Sequence, residues 1–434
     1  MGLNPEHAPA VLLRNVCIVD PQSEHHNQWM DLLIKAGRIA EIAPAGAIDA
    51  GRAGQTVEID GACVSPGWLD MQVHLCDPGY EYKETLHALA GAARIGGFTG
   101  IVCYPNTAPV VDNSQMLYSL RNRASVLPVD LHFTGTISEK GQGKELAEVY
   151  DMREAGAIAF TDGTQPIQSS GLLLRALQYM QPFGALMLRY PQDNSLAAHG
   201  QMNEGPQSTL MGMKGIPEMA ESIALARDLQ LIDYAPGKVH FQPLTATESL
   251  RLIAEAKAKH SSISTGTTAA HLAFDDSMLE GFDPNFKLIP PIRNREQVMT
   301  LKQAVKSGVI DVITSGHQAQ SIEEKNLEFE LAEPGMLGLQ TTFSLAYAQL
   351  VETHIIPLER LIELISIAPR RILALPPVSV TAGQDANLTL FHLGRKWTLE
   401  GRHLPARSKN TPLLGQQLSG QVLGIYHKGA LHLG

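Results

Sequence analysis

A chain of 434 residues with 44% hydrophobic and 18% charged residues can bury a large core and leaves room for a smaller companion domain. A formal net charge of -10 excludes a broad nucleic-acid surface, which needs clustered Lys and Arg. No uncharged stretch approaches the roughly 18 apolar residues of a membrane span, and no basic-then-apolar leader opens the sequence, so a cytoplasmic protein with no membrane partner is expected.

From residue 10 to 64, short alternating apolar segments at 11–13, 16–19, 31–34, 39–42 and 56–59 lie between Gly, Pro and Asp turns, which predicts a strand-rich module. Between 66 and 375 the texture changes. Apolar strand candidates at 68–73, 100–104, 129–135, 157–161, 185–188, 238–243, 261–265 and 309–314 alternate with helical periodicity, as at 84–93, 172–180, 218–229, 248–258 and 295–307. Eight strands separated by helices predict a (β/α)8 barrel, an α/β fold whose sites gather at the C-terminal ends of the strands. Strand-like segments return at 387–391 and 422–426. The expected organisation is a composite β domain from 1–65 and 376–434 around a barrel spanning 66–375. Cys17, Cys63, Cys76 and Cys103 show no Cys-x-x-Cys spacing, so buried free thiols are expected rather than a zinc site or a disulfide framework.

The stretch Pro66-Gly67-Trp68-Leu69-Asp70-Met71-Gln72-Val73-His74-Leu75-Cys76-Asp77-Pro78-Gly79, followed by Tyr104-Pro105-Asn106-Thr107, resembles the opening of a dihydroorotase of the cyclic amidohydrolase superfamily. Pro290-Pro291-Ile292-Arg293, Pro334-Gly335-Met336-Leu337-Gly338 and Ser408-Lys409-Asn410-Thr411-Pro412 are similar to later landmarks of the same family. The resemblance implies a barrel of the amidohydrolase type with one or two divalent metals. Their ligands would be two histidines after the first strand, an Asp or modified Lys after the fourth, a His after each of the fifth and sixth, and an Asp after the eighth. Such a metal lowers the pKa of bound water from about 15.7 to about 7 and so supplies a nucleophile.

Mapped onto this chain, those positions fall on Gln72, His74, Asp162, Arg189, Pro243 and Gly316. Only His74 and Asp162 keep a ligand type, and no His-x-His pair occurs among the sixteen histidines. The substrate-contacting positions fall on Cys76, Asn106 and Gln320. Asp162 is expected to pair with Arg189, and Asn106 either to contact substrate or to stabilise its turn.

The resemblance narrows to the inactive dihydroorotase-like chains of aspartate carbamoyltransferase. It therefore implies a protein without catalytic residues, metal or other cofactor, which holds the carbamoyltransferase catalytic chain in a larger assembly and forms homodimers. The alternative is an active, zinc-dependent cyclic amidohydrolase that recruits other ligands, such as His317 or His240. A third reading is a binding protein in which Arg189 faces a ligand carboxylate.

Overall fold

The computed structural model describes residues 9–434, so the first eight residues of the expected 1–65 segment lie outside the described residues. Its central feature is the strand Trp68–His74, buried along its whole length except for the half-buried His74. A parallel strand covered on both faces needs apolar residues on both, and Trp-Leu-Asp-Met-Gln-Val meets this everywhere but at Asp70 and Gln72. It pairs in parallel with Phe98–Tyr104, all of whose seven residues are buried, and that strand pairs with Asp130–Phe133. A second parallel sheet runs Leu186–Arg189, Lys238–Phe241, Ile263–Thr268 and Val312–Thr314.

The two parallel sheets are joined by isolated bridges rather than by uninterrupted ladders. On one side the segment around Phe160 links them, with Thr161 N donating to Gly135 O, Phe160 N to Leu186 O, and Leu188 N to Phe160 O, each at 2.9 Å. On the other side Val73 bridges His317, and His74 N donates to His317 O at 2.9 Å. Of the expected eight-stranded barrel, the structure shows seven ladder strands in two parallel sheets that are linked by isolated bridges. The segment at 157–161 forms no ladder strand, because regular pairing is confined to Phe160 and its neighbours.

Helices connect the strands as the periodicity predicts, and their ends carry the expected chemistry. Thr85 caps Leu86–Ile95 by accepting from Ala88 N, and that helix buries Leu86, Leu89, Ala90 and Ala93 on one face. Asn294 caps Arg295–Lys306 in a reciprocal box with Gln297.

Apart from the short parallel pair Met202–Asn203 and Gly215–Ile216, the remaining strands form one large sheet. Its order is Ala430–Leu433, Gln417–His427, Leu388–Thr398, Ala62–Pro66, Val11–Ile18, Trp29–Lys35 and Arg38–Pro44, with Gln55–Glu58 also beside Val11–Ile18. C-terminal Leu388–Thr398 lies antiparallel to Ala62–Pro66, with Leu390 opposite Val64. Where this sheet meets the central strands, Trp68 stacks on Phe343 at 4.7 Å between centroids and packs against Phe391 and Phe98. Such contacts add about 0.5–1.5 kcal/mol each beyond the area they bury.

Gly67 permits this junction. A Cβ there would stand 1.9 Å from Asn387 Oδ1 and 2.4 Å from Thr99 Oγ1. Gly67→Ala is therefore expected to destabilise the fold by about 1–3 kcal/mol through overpacking. A lowered urea midpoint with an unchanged slope is the expected observation, and a midpoint equal to that of the parent chain would contradict it.

Candidate functional site

The C-terminal ends of the parallel strands bring together most of the residues singled out by the motifs, in arrangements that are largely self-contained. The foundation is Asp70, which is fully buried. Its Oδ1 accepts from Gln72 N at 2.7 Å and its Oδ2 from Ser315 N at 2.7 Å, tying the first strand to the exit of the last. Burial pushes its carboxyl up to about 6, against the pull of those two N–H groups.

Gln72 accepts from Thr314 Oγ1 at 3.2 Å. His74, two residues on, makes no side-chain hydrogen bond among the described residues and lies edge-on to Tyr104 at 5.3 Å. Burial, reinforced by the His317 charge, lowers His74 to about 4, so its imidazole is neutral at physiological pH.

Arg189 and Asp162 do not form the expected ion pair. Arg189 donates through Nε and Nη2 to Asp228 Oδ2, at 2.9 and 2.7 Å, and Arg227 holds the other oxygen of that carboxylate. Asp228 lies on the helix Met219–Tyr234, a partner that no local pattern in the sequence reveals. Asp162 instead organises a loop, accepting from Ile137 N and Ser138 N at 2.8 and 3.0 Å and from Ser138 Oγ at 2.5 Å. Burial is the leading influence on its carboxyl and raises its pKa, with the Ser138 and Ile137 donors and the Arg189 charge opposing.

Asn106 fastens the same loop. Its Nδ2 donates to Asp162 O and its Oδ1 accepts from Thr164 N, over a Gly163 in the left-handed region where a Cβ would lie 1.7 Å from Asn106 Oδ1.

The two histidines proposed as replacement ligands are committed elsewhere. His240 Nε2 donates to Gln242 Oε1, and its Nδ1 accepts from Ser264 Oγ, both at 2.8 Å. The tautomer follows from Gln242, whose Nε2 donates to Met71 O and Tyr104 Oη and whose Oε1 must therefore accept. His317 Nδ1 accepts from Gly338 N and Leu339 N, leaving Nε2–H to donate to Glu84 Oε2 at 3.0 Å, with both side chains buried.

Gln242, fully buried beneath the strand ends, was not anticipated. The signal was the His240-Phe241-Gln242 alternation, which turns two polar side chains inward on one face. Pro243 offers no donor, and Gly316 sits at φ +59°. Gln320 bridges Lys83 Nζ and Pro334 O beside a cavity of about 730 Å³ lined by Tyr82, Lys325, Arg407 and Lys409. Cys76 is buried, its thiol pushed up to about 12 by burial and then by Glu84, which leaves it inert.

These residues do not fit the family's metal pair. Both Asp162 oxygens are occupied by N–H and O–H donors, a guanidinium stands at the fifth-strand position, and no cluster of three or more His, Cys, Asp or Glu suited to a metal occurs among the described residues.

Comparison with known proteins places the chain. The family model described as Dihydro-orotase-like matches residues 61–249. A dihydroorotase of Syntrophus aciditrophicus (strain SB) is 35% identical over 423 residues, which is 97% of this chain and 98% of the relative. A dihydroorotase of Carboxydothermus hydrogenoformans is 36% identical over 400 residues, covering 92% of each. Among solved structures, the L-hydantoinase (dihydropyrimidinase) from Arthrobacter aurescens superposes with a TM-score of 0.84 at 22% identity, covering 97% of this chain and 95% of its own. The dihydropyrimidinase from Brevibacillus agri NCHU1002 gives 0.81 at 19%, covering 98% and 95%.

The fold is that of the cyclic amidohydrolases, and the chain belongs to the dihydroorotase family. Two expectations are corrected by these relatives. An inactive, purely structural homologue is not supported, because curated relatives matching almost end to end are named dihydroorotase. The expected lack of any cofactor is likewise withdrawn, since the relatives are named dihydroorotase and the resemblance to that family implies a metal such as zinc, even though the family's own donor set is not retained here.

The burial of histidines at and below the strand ends has a measurable consequence. His74, His132, His240 and His271 are all lowered from 6.5 to about 4, chiefly by burial. Between pH 6.5 and 4 the unfolded chain binds protons that the folded chain refuses, so stability falls as pH falls. Asp70, raised from 3.8 to about 6, acts in the opposite direction, as do Asp162 and Asp276, whose carboxyls burial also raises, while His403 and His432, lowered by burial, add to the four histidines. Denaturant midpoints are expected to drop steadily from pH 7 to pH 4.5, with a total loss on the order of several kcal/mol. A midpoint that rises on acidification would contradict the assignment.

Proposed function

We propose that this chain is a cyclic amidohydrolase acting on a ring amide of the dihydroorotate class in pyrimidine metabolism, at the C-terminal ends of its parallel strands and in the cytoplasm. The observation that carries this is the end-to-end kinship, at 34–36% identity, with proteins named dihydroorotase. His74 is the group we assign to the reacting ring. It is half-buried and neutral, with one ring nitrogen free to accept a hydrogen bond or a proton and the other carrying an N–H that can donate. Gln72, anchored through its Oε1, keeps its amide N–H groups available to a ring carbonyl. Any metal would need donors other than the six positions discussed above, and no step is assigned to one.

Purified protein, assayed with dihydroorotate and with carbamoyl aspartate in the presence and absence of added zinc, is expected to turn over at least one of them. His74→Ala is expected to lower that rate by about 10²–10⁴-fold. A parent chain inactive under every condition would overturn the proposal.

We further propose that the chain associates with itself and with the aspartate carbamoyltransferase catalytic chain, independently of its own activity. Ile322, Leu327 and Leu331, 72%, 43% and 66% exposed within ten residues of chain, support a protein-binding surface. Light scattering of the mixed proteins should show a species heavier than either alone, and an unchanged mass for both would count against it.

A further inference from the structure

The cysteines carry an arrangement that their spacing in the sequence does not announce. Cys17 lies on Val11–Ile18 and Cys63 on Ala62–Pro66, forty-six residues apart in the chain, and they stand directly opposite each other in the parallel register. The ladder between these strands holds two residue pairs, Cys17 with Cys63 and Ile18 with Val64. Alternation along the strands sends Ile18 and Val64 into the apolar core of the large sheet. Both thiols point the other way, into the cluster containing Trp68, Phe343 and Phe391. The two thiols are neighbours across the ladder and both are free, with Cys63 Sγ directed at Gly61 O at 4.0 Å. Cys17 is partly exposed and Cys63 is buried.

We propose that Cys17 and Cys63 form a reversible disulfide that staples the first strand to the strand entering the parallel-stranded domain, with a low-molecular-weight disulfide such as oxidised glutathione as oxidant. Directly opposed residues on neighbouring strands have Cα atoms within the range a disulfide spans, while their Cβ atoms are held slightly wide of its optimum. A bond made there is strained and therefore easily reduced, which suits a reversible link better than a permanent one.

The chemistry divides the roles. The adjacent Cys63 thiol favours thiolate on Cys17, bringing it down to about 7, while the same pairing together with burial raises Cys63 and keeps it protonated. The Cys17 thiolate attacks one sulfur of oxidised glutathione, forming a mixed disulfide and releasing one glutathione, which takes up a proton. Cys63 then loses its proton to solvent and attacks the Cys17 sulfur, expelling the second glutathione. Two protein thiols are oxidised by two electrons, and one glutathione disulfide is reduced to two thiols. Cys76 and Cys103 are buried, with thiols raised by burial, and serve as internal controls.

Native protein is incubated with oxidised glutathione, then alkylated and analysed by intact-mass and peptide mass spectrometry. The expected product has lost two hydrogens, contains a Cys17–Cys63 cross-linked peptide, reverts with dithiothreitol, and leaves Cys76 and Cys103 alkylatable. Its melting temperature should exceed that of the reduced form by about 3–8 °C. Cys17→Ser and Cys63→Ser should each abolish both the cross-link and the shift. A lasting glutathione adduct on Cys17, two unreacted thiols, or a cross-link engaging Cys76 or Cys103 would each overturn the proposal.

Discussion

The buried carboxylate of Asp70 is the constraint on which the strand ends depend. The two parallel sheets meet in a thin seam between the first and the last strand, where pairing consists of one bridge from Val73 to His317. Asp70 reinforces that seam from within, accepting an N–H from each side. The burial that raises its pKa is the cost of placing an acid in the core, and the two backbone donors offset part of it. With this seam fixed, Gln72, His74, Thr314 and His317 have defined positions.

Around that seam, polar groups satisfy one another. Gln242 links three strands through one amide, Asp162 gathers a loop, and Arg189 finds its charge partner on a helix. A buried guanidinium and carboxylate joined by two hydrogen bonds are stable only as a pair, because either alone would be an uncompensated charge in a low-dielectric interior. The electrostatics of the site are therefore those of a neutral, hydrogen-bonded platform. The His74 imidazole makes no hydrogen bond among the described residues, and Glu84 Oε1 and Thr267 Oγ1 are likewise buried without a partner there.

The fold was legible because its determinants are local. The apolar run at 68–73 and the helical periods at 84–93 and 295–307 are properties of neighbouring residues, and they mark elements whatever lies around them. The site was legible only in its inventory. The substitutions at Gln72, Arg189, Pro243 and Gly316 can be counted in the sequence. That Arg189 turns to Asp228, that Asp162 takes its donors from Ile137 and Ser138, and that Gln242 fills the space between Met71 and Tyr104 are long-range facts that no pattern encodes. The inference from missing ligands to an inactive scaffold weighed six positions and set aside the four hundred or so that align with dihydroorotases. Asp70 itself was visible within the opening motif, yet nothing in its neighbourhood announced that its partner would be Ser315.

The large sheet has a further consequence for how the chain is made. Ala62–Pro66 is flanked by a strand from the N-terminal part on one side and by Leu388–Thr398 on the other. A ribosome delivers the first side early, but the second arrives only after the whole parallel-stranded domain has been translated, a delay on the order of tens of seconds. Throughout that interval a row of backbone donors and acceptors beside Cys63 and Val64 stays open to any other extended chain. Translation that stalls before residue 388 would leave a nascent product with a permanently uncovered edge, a natural substrate for chaperones and for quality-control proteolysis.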